Sequence, residues 1–389
     1  MKRRDFVALG VAGAASLAAQ DQVRVGLIGA GGRGRFVARV FQRHPEVRIA
    51  AVCDVYEPNL EKGLSESGNQ GRAYRNYKQL LDDKGIPIVL IATPEHWHHR
   101  MLFDAMAAGK DVYVEKPLCQ TWQQGVELVQ AAGKSKSIVQ VGMQRRSYDL
   151  YLKARQVVAS GELGAVRMVR SWWLNNQLKR ETGRKLAGPL DWEQWQGPVA
   201  RRELDPDRFY DWRSYSDYAG GIVADQGAHV FDGINMLTAA GYPVAVNASA
   251  GPILRPKVDT PDTVVVAAEF PRELLAIFTI NYAAMRYKSR NDQLNSLDGD
   301  AARMDIGREG FRVYRQGDEE TAAISFDSAT GFGHATDVHV DNFLECVKSR
   351  ATPTAPVELG FQAVLPALLA NQSLKLGRRV RWNAEKRRM

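Results

Sequence analysis

The stretch that decides the fold of this chain is Val23-Arg-Val-Gly-Leu-Ile-Gly-Ala-Gly-Gly-Arg-Gly34. Its first half, Val23–Ile28, is a short and mostly apolar run that predicts a buried strand. The residues that follow predict a helix over 35–42 and a second buried strand over 47–52. A strand, a glycine-rich turn, a helix and a strand in this order are typical of an open parallel sheet with helices on both faces.

Three glycines in the turn, Gly29, Gly31 and Gly34, have the spacing G-x-G-x-x-G. The first permits a tight turn, the second lets the backbone approach a pyrophosphate, and the third lets the helix pack closely on the strand. The phosphates then lie at the helix N-terminus, where free N–H groups and the helix dipole favour anions. The predicted phosphate side of a dinucleotide site therefore consists of Gly29, Gly31, Gly32, Arg33 and Gly34.

An acidic residue, Asp54, follows the second predicted strand, twenty residues after Gly34. Its carboxylate can accept hydrogen bonds from the ribose hydroxyls of an adenosine, and its charge would repel a 2′-phosphate. The sequence therefore predicts NAD as the cofactor, with NADP as the alternative.

The composition is that of an ordinary globular protein and excludes several other classes. The 389 residues are 45% hydrophobic and 25% charged, with a formal net charge of +8. Two of these charges come from the N-terminal residues Lys2, Arg3, Arg4 and Asp5. The other basic residues are scattered among acids, which argues against a nucleic-acid partner. The three cysteines lie far apart without metal-ligand spacing, so we expect neither a disulfide framework nor a metal site.

The N-terminal segment, residues 1–20, is typical of an export signal rather than of a folded domain. Basic residues in Met1-Lys-Arg-Arg-Asp-Phe6 precede a short apolar stretch, 7–19, that ends in small residues. The pair Arg3-Arg4 with Phe6 resembles a twin-arginine signal, which exports folded proteins. We therefore expect a periplasmic protein; the alternative is a cytoplasmic protein with a basic N-terminal arm. The apolar stretch is too short for a stable membrane span.

Alternating strands and helices are predicted up to about residue 145. Further strands are predicted over 87–92, 111–114 and 137–141, and further helices over 100–108 and 121–132. Glycines at Gly109 and Gly133 are the predicted ends of these two helices. Residues 21–145 are therefore predicted to form a doubly wound parallel sheet that binds the cofactor.

Beyond residue 150 the hydrophobic pattern changes to paired alternating runs. Strands are predicted over 166–173, 262–270, 274–282, 301–306 and 311–315, and closing helices over 338–349 and 361–376. The predicted fold class is therefore α/β, with an N-terminal doubly wound parallel sheet and a C-terminal α+β domain, residues 146–389, that holds an open, largely antiparallel sheet. We expect the substrate to bind between the two domains.

A histidine-rich segment, Ala92-Thr-Pro-Glu-His-Trp-His98, lies just past the carboxyl end of a predicted strand, where such sheets bind ligands. His96, His98 and His99 fall within four residues. Adjacent histidines on an extended loop point in alternating directions, and no carboxylate pair with ligand spacing accompanies them. We therefore predict no metal here and assign His98 to the lining of the cofactor site.

A lysine, Lys116, ends another predicted strand within Val114-Glu-Lys-Pro-Leu118. Held between an acid and a proline, it would be a fixed cation at the ligand-binding edge of the sheet. The Lys116–Pro117 bond could be cis, because a proline lowers the free-energy difference between the two isomers. The alternative is an ordinary solvated lysine.

Five motifs in a fixed order resemble those of the Gfo/Idh/MocA oxidoreductase family, which includes glucose–fructose oxidoreductase and inositol dehydrogenase. They are Gly29-x-Gly31-x-x-Gly34, Thr93-Pro94 with His98, Glu115-Lys116-Pro117, Gly142-Met-Gln-Arg-Arg146 and Asp225-x-Gly-x-His229. The resemblance implies a Rossmann domain with a tightly held nicotinamide cofactor. It also places five residues at that cofactor: Thr93, Pro94, His98, Glu115 and Lys116. The family's usual Thr-Pro-Asn reads Thr93-Pro94-Glu95 here.

The same resemblance implies that Lys116, Asp225 and His229 form the catalytic set. The last two are four residues apart, so they share one face if Asp225 opens a helix. His229 would remove a hydroxyl proton, and Lys116 would bind the same oxygen while the carbinol hydride leaves. Without the resemblance, the favoured interpretation makes Asp225 a helix N-cap and His229 a half-buried structural residue.

Aromatic and amide residues gather in Trp172-Trp173-Leu-Asn-Asn176 and over 209–215. Aromatic faces suit the apolar faces of sugar rings, and amide and guanidinium groups suit their hydroxyls. Asn175 and Arg213 are therefore the predicted contacts of a carbohydrate or polyol substrate. The alternative is that most of these tryptophans belong to the core.

Three functions follow from the sequence as hypotheses. The first is an NAD-dependent oxidoreductase that acts on a secondary alcohol of a sugar, polyol or glycoside. The second uses transient oxidation to cleave or epimerise a glycoside without net redox, and product formation without an external acceptor would distinguish it. The third, a non-catalytic NAD-dependent sensor, does not require the set of Lys116, Asp225 and His229. A homo-oligomer is also expected, because the family's open sheet commonly mediates self-association.

Overall fold

A computed structural model of the chain describes residues 22–176, 182–285 and 293–389. The predicted export signal, residues 1–20, lies outside these ranges. The described chain is organised around two sheets, one of six strands and one of nine. Within the three described ranges, no helix is long and apolar enough to cross a membrane.

The first sheet is parallel throughout and forms where the apolar runs predict it. Its strands are β1 (Val23–Ile28), β2 (Val47–Cys53), β3 (Arg72–Tyr74), β4 (Ile88–Ile91), β5 (Asp111–Glu115) and β6 (Val139–Gly142). They lie in the order β3-β2-β1-β4-β5-β6, so the strand order reverses between β1 and β4. In such sheets ligands bind beyond the carboxyl ends of the strands at the point of reversal.

The first half of the described chain contains five α-helices. They are α1 (Gly32–Phe41), α2 (Glu57–Glu66), α3 (Tyr77–Asp82), α4 (Glu95–Ala107) and α5 (Trp122–Lys134). Thr121 caps α5, because its hydroxyl accepts from the Gln124 N–H while the Gln124 side chain accepts from the Thr121 N–H. The predicted end of this helix at Gly133 is wrong, since the backbone becomes extended only at Ser135.

The segment after β4 is helical, and the extended loop predicted there is wrong. Pro94 occupies the N-cap of α4, where its missing N–H breaks no intrahelical bond. Glu95 lies in the first turn, where the helix dipole favours an acid. His96, His98 and His99 therefore lie on the first two turns and point in different directions around the helix.

The second sheet is mixed and mostly antiparallel, as predicted. Its strands are β7 (Met168–Leu174), β8 (Ala245–Ala250), β9 (Thr263–Phe270), β10 (Leu274–Asn281), β11 (Gln293–Asp298), β12 (Ala302–Ile306), β13 (Gly310–Arg315), β14 (Ile324–Asp327) and β15 (Val380–Arg381). They lie in the order β14-β13-β12-β11-β7-β10-β9-β8-β15. Among the described pairs, β7 with β10 is parallel and the others are antiparallel. Buried and half-buried residues alternate along β10, so one face of the sheet packs on the core.

The helices of the second half are α6 (Asp149–Ala159), α7 (Trp192–Gln196), α8 (Pro206–Tyr210), α9 (Gly221–Thr238), α10 (Gly331–Ser349) and α11 (Val357–Leu376). α9 and α11 pack together on the second sheet, where Phe231 meets Phe278 edge-on at 5.9 Å between ring centroids. α10 packs instead on the first sheet, where Phe343 contacts Phe41 and Tyr113. A helix from beyond residue 145 thus completes the core of the first sheet.

Candidate active site

The carboxyl ends of β1, β2, β4 and β5 face α9 and the second sheet across a cavity of about 1290 Å³. This is the position at which sheets of this topology bind dinucleotides. Most of the predicted site residues line the cavity, and they come from both halves of the chain: Gly29, Gly31, Gly32, Arg33, Asp54, Thr93, Pro94, His98, Glu115, Lys116, Arg213, Asp225 and His229.

The glycine turn has the geometry that its spacing predicts. Gly29 has a φ of +90°, and a Cβ there would lie 2.8 Å from the backbone of Ala92 and Thr93. A Cβ on Gly34 would lie 2.0 Å from the carbonyl oxygen of Gly29, so Gly34 allows close packing of α1 and does not itself line the cavity. Open space surrounds the Cβ position of Gly31, at the N-terminus of α1, which leaves room for a pyrophosphate.

Asp54 lies against the glycine turn just past the end of β2. Its Oδ2 accepts from the Ala30 N–H at 2.8 Å, and its Oδ1 accepts from the Tyr56 N–H at 2.9 Å. Burial raises the pKa of Asp54 to about 6, although these N–H groups favour the charged form. The carboxylate is therefore ionised at neutral pH, and its remaining lone pairs can accept from ribose hydroxyls.

These residues fit NAD. The space at Gly31 and the free N–H groups of α1 would hold the pyrophosphate, and Asp54 would hold the adenosine ribose. The turns after β4 and β5 line the remainder of the cavity, where Thr93, His98 and Lys116 would contact the nicotinamide end.

Replacing Asp54 by alanine should weaken NADH binding about tenfold or more, because hydrogen bonds to charged groups contribute about 1.5–3 kcal/mol. The same change should narrow the preference for NADH over NADPH, since it removes the repulsion of a 2′-phosphate. Fluorescence titration with both cofactors measures the two affinities. Asp82→Ala, exposed at the end of α3, is the control and should change neither affinity. Tighter binding of NADPH than of NADH by the wild type would contradict the role given to Asp54.

A segment of the second half of the chain, residues 187–210, closes over the loop that follows Asp54; we name it the strap. Tyr56 pairs with Leu190 in an antiparallel bridge flanked by backbone hydrogen bonds of 2.9 Å. The Tyr56 hydroxyl accepts from the Ala187 N–H at 2.9 Å and lies 3.2 Å from the Tyr210 hydroxyl. Because Tyr56, Tyr210 and Asp54 all line the cavity, the strap covers its adenosine side.

His96 and His99 serve structural contacts. Burial lowers the pKa of His96 to about 4, and its Nε2 lies 2.8 Å from the carbonyl oxygen of Trp195 in the strap. His99 instead faces Glu127 of α5, with Nε2 2.9 Å from the carboxylate. Within the described ranges, no group of histidine, cysteine and acidic residues has the arrangement of a metal site.

His98 connects the two turns that line the nicotinamide side of the cavity. Its Nδ1 lies 2.6 Å from the carbonyl oxygen of Pro117, and its Nε2 lies 2.9 Å from that of Thr93. Burial lowers the pKa of His98. The Lys116–Pro117 bond is cis. A neutral imidazole carries one N–H, so His98 can donate to one of these two oxygens at a time while its ring lies between the turn that carries Lys116 and the turn that follows β4.

Lys116 forms an ion pair with Asp225 across the cavity wall. Its Nζ donates to Oδ1 of Asp225 at 2.5 Å and to the backbone carbonyl of the same residue at 2.9 Å. The two side chains are 14% and 12% exposed, so Lys116 is not the solvated lysine of the alternative interpretation. An ammonium has three donors, which leaves one for an oxygen in the cavity.

His229 follows Asp225 by one turn of α9, and both side chains line the cavity. Gly220, and not Asp225, is the N-cap of this helix, so the N-cap alternative is wrong. The His229 ring stacks on Trp173 with ring centroids 6.2 Å apart. Burial, together with the nearby cations Lys116 and Arg145, holds the pKa of His229 well below its ordinary value. The imidazole is therefore neutral at neutral pH and able to accept a proton.

The motif Gly142-Met-Gln-Arg-Arg146 holds α9 in place, a role that the sequence did not indicate. Arg145 donates to the carbonyl oxygen of His229 at 3.2 Å. Arg146 donates to Asp232 at 2.6 Å, where the Asp232 side chain is 1% exposed. Two charge-assisted contacts thus fix the turns of α9 on which the site residues lie.

Arg33 and Glu115 join the glycine turn to the end of β5. The Arg33 Nε donates to Oε1 of Glu115 at 2.8 Å, and both residues line the cavity. The Glu115 side chain is 6% exposed, and a buried carboxylate is destabilised unless an opposite charge lies beside it. The Arg33 guanidinium supplies this positive charge.

The two predicted substrate contacts differ in their placement. Arg213 lines the cavity, lies over the Trp212 ring at 4.1 Å, and places its Nε 3.7 Å from Oδ2 of Asp225. Asn175 is not among the described residues that line the cavity. Its Oδ1 accepts from the Asn176 N–H at 2.8 Å, and its own N–H donates to the carbonyl oxygen of Asn281. Continued pairing with β10 thus keeps Asn175 in the sheet.

Two residues that the sequence did not indicate complete the wall around Asp225. The Gln226 Nε2 donates to Oδ2 of Asp225 at 2.9 Å and to the Tyr282 hydroxyl at 2.8 Å. Gln226 is the first unspecified position of the motif Asp225-x-Gly-x-His229 and could have been considered, whereas the position of Tyr282 depends on the pairing of β10. Trp192 stacks on Trp195 with ring centroids 4.8 Å apart, and of these two rings Trp195 lines the cavity whereas Trp192 does not.

Two protein-family models match the chain. One, described as an oxidoreductase family with an NAD-binding Rossmann fold, matches residues 23–143. The other, described as a GFO/IDH/MocA C-terminal domain, matches residues 151–304. The two matches together cover most of the chain, in the order that the family's domains require.

Sequence relatives match over shorter lengths. Glycosyl hydrolase family 109 protein 2 from Shewanella sp. (strain ANA-3) is 41% identical over 120 residues, which is 29% of this chain and 26% of that protein. Inositol 2-dehydrogenase from Salmonella typhimurium is 29% identical over 149 residues, which is 38% of this chain and 44% of that protein. The chain therefore spans less than half the length of these curated relatives.

The fold is shared with solved structures over nearly the whole chain. Levoglucosan dehydrogenase in complex with NADH and levoglucosan has a TM-score of 0.74 and 19% sequence identity, over 92% of this chain and 99% of that chain. At this identity the likeness shows the fold alone. The two family models, in contrast, match the segments whose motif residues surround the cavity. This chain is a member of the Gfo/Idh/MocA family of NAD-binding oxidoreductases.

Proposed function

We propose that this protein oxidises a secondary alcohol of a sugar, polyol or glycoside at a bound NAD. One observation carries the proposal: a lysine from the end of β5 meets an acid and a neutral histidine on one face of α9, at the cavity wall. These groups come from separate elements of both halves of the chain. A sensor that only binds NAD has no need of such an arrangement, so we favour catalysis over the sensor hypothesis.

The residues of the chain divide the chemistry between them. Asp225 holds the Lys116 ammonium in place. The remaining N–H of the ammonium can then bind the alcohol oxygen and stabilise the negative charge that develops on this oxygen as its proton leaves. His229 is neutral and can accept the hydroxyl proton. When bound, NAD supplies the acceptor for the carbinol hydride.

Two observations support a carbohydrate or polyol as the substrate. The wall near Asp225 holds aromatic rings and polar groups side by side: Trp173, Trp212, Arg213 and Gln226. Aromatic faces suit the apolar faces of sugar rings, and the polar groups suit their hydroxyls. The names of two relatives, inositol 2-dehydrogenase and levoglucosan dehydrogenase, point to the same class of molecule.

A second candidate function is glycoside cleavage or epimerisation without net redox. The 41% identity to a glycosyl hydrolase family 109 protein favours it. Transient oxidation would give a ketone that acidifies the neighbouring C–H bond, and loss of that proton would expel the glycosidic oxygen one carbon further. Addition of water and return of the hydride would then restore the alcohol and the bound cofactor, so no external oxidant is needed. The strap covers the adenosine side of the cavity and would therefore help to retain a bound cofactor. This supports both catalytic candidates, because in each of them the cofactor stays bound.

Product analysis with and without an added carbonyl acceptor distinguishes these functions. The purified, cofactor-loaded enzyme is incubated with a panel of sugars and glycosides. Net oxidation should stop after one turnover unless the acceptor is present, whereas redox-neutral chemistry should continue without it. An absence of any product from all substrates under both conditions would contradict both catalytic candidates and favour the sensor.

We also propose that the protein is exported in the folded state to the periplasm. The pair Arg3-Arg4 and the apolar stretch 7–19 support this, and a cofactor that stays bound suits a compartment with little free NAD. Cell fractionation should find the wild type in the periplasm and the double variant Arg3→Lys, Arg4→Lys in the cytoplasm. Wild-type protein found in the cytoplasm would instead support the cytoplasmic alternative, and a double variant that still reaches the periplasm would contradict the twin-arginine route.

Self-association is a further part of the proposal. The nine-stranded sheet is open and leaves Val265 of β9 42% exposed. Sedimentation velocity should therefore give a mass larger than that of one chain, and a monomer at all concentrations would contradict it.

A further inference from the structure

A buried carboxyl lies directly beneath the helix that carries Asp225 and His229. Glu95, the first residue of α4, is 2% exposed. Its Oε2 accepts from the N–H of Gly220, the N-cap of α9, at 2.9 Å. Its Oε1 is buried without a hydrogen-bond partner in the part of the chain that the structure describes. A carboxylate would leave this oxygen charged and desolvated, whereas a neutral carboxylic acid loses much less free energy on burial.

The charges that face Glu95 come from every element packed around it. Asp225 of α9 opposes its ionisation, whereas Arg213, before α9, and Lys116, after β5, favour it. The thiol of Cys119, which also follows β5, faces Glu95 as well. Burial has the largest effect and raises the pKa of Glu95 to about 7. The residue is therefore mostly neutral on the acid side of neutrality.

We propose that Glu95 is a positioning residue for Asp225 and acts as a neutral carboxylic acid that fixes the first turn of α9. In this form its Oε2 accepts from the Gly220 N–H, as the oxygen of an amide side chain would. Its ionisation would place a second negative charge beside Asp225 and compete for the Lys116 ammonium. Lys116 would then be drawn away from the alcohol oxygen. This last step rests on the proposed function.

The expected consequence is a loss of activity as the pH rises through neutrality. With a pKa of about 7, the neutral fraction of Glu95 falls about tenfold between about pH 6 and about pH 8. We expect kcat to fall by about the same factor, with little change in KM, because the ionised form disturbs Lys116 rather than substrate binding.

Glu95→Gln tests this consequence, because glutamine has a similar shape and is neutral at every pH. It should have the wild-type kcat near pH 6 and should lack the fall at higher pH. Glu127→Gln, on the exposed side of α5, is the matched control and should keep the wild-type profile. A fall that persists in Glu95→Gln, or a low kcat at every pH, overturns the inference. If the glutamine variant does not fold, Glu95→Asn takes its place.

Infrared difference spectroscopy tests the neutral acid independently of turnover. The wild type should show the C=O stretch of a protonated carboxyl that disappears as the pH rises through neutrality, and Glu95→Gln should lack this band. A wild type without the band on the acid side overturns the inference. If no sugar is oxidised, the proposed function fails, and the infrared spectrum alone tests the inference. The carboxylate bands of Asp225 are identified as those that disappear in Asp225→Asn. These bands should shift when Glu95 ionises, and bands that do not shift overturn the inference.

Discussion

Replacing Lys116 by alanine should slow the formation of bound NADH by about a hundredfold or more while NAD still binds. Lys116 supplies a donor to the oxygen whose charge changes during the reaction, and loss of one such donor typically lowers kcat by about 10²–10³. The glycine turn and Asp54, which would hold the other end of the cofactor, are not altered. Single-turnover absorbance measures the rate, and fluorescence titration measures the cofactor affinity.

Lys110 offers a matched control for this variant. Lys110 directly precedes β5, whereas Lys116 directly follows it. Its side chain is buried, with the residue 3% exposed, and its ammonium donates to the carbonyl oxygens of Asp83 and Ile86 outside the cavity. Lys110→Met should lower the melting temperature and leave the rate per folded molecule unchanged. Wild-type turnover by Lys116→Ala would contradict the role of Lys116, and loss of NAD binding would assign the lysine to the cofactor site alone.

Replacing His229 by alanine should lower the rate of the same step by about 10²–10⁴, the usual contribution of a general base. Added imidazole should restore part of the rate, because a small base can enter the space that the side chain leaves. His99→Ala, at a residue that faces Glu127 of α5 and does not line the cavity, is the control and should keep the wild-type rate. A variant that loses activity without any rescue would indicate that His229 supports the structure rather than the proton transfer.

The pH dependence of the wild type gives a second test of His229. Because its pKa is held well below the ordinary value of 6.5, the imidazole stays neutral as the pH falls through that value. When NAD is already bound, so that protonation of Asp54 does not limit cofactor binding, kcat/KM for the substrate should therefore remain constant on the acid side until well below pH 6.5. An acid limb at or above this value would show that the base is another group.

The local chemistry of the site could be predicted from the sequence where it depends on short stretches of chain. Gly29 and Gly34 occupy a turn that a Cβ would disrupt, as their spacing predicts. Lys116 lies at the carboxyl ends of the strands of the parallel sheet, because it directly follows β5. The pairing of Lys116 with Asp225 followed only from the family resemblance, since it joins positions more than a hundred residues apart.

Features that depend on contacts between distant segments could not be predicted. The hydrogen bond from the Gly220 N–H to the Glu95 side chain joins the starts of α9 and α4, and no local pattern shows it. The strap reaches Tyr56 through backbone groups, and these leave no signal in the side-chain sequence. Likewise, Asn175 has the chemistry of a sugar contact, but the pairing of its strand with β10 keeps it out of the cavity.

The absorbance of the cofactor-loaded enzyme after addition of a panel of sugars and glycosides tests the central claim most directly. We predict that bound NADH appears, at least transiently, with one or more of these compounds in the wild type. It should not appear on the same timescale in Lys116→Ala or His229→Ala. Equal NADH formation in the wild type and both variants, or none in the wild type with any compound, would contradict hydride transfer at this site.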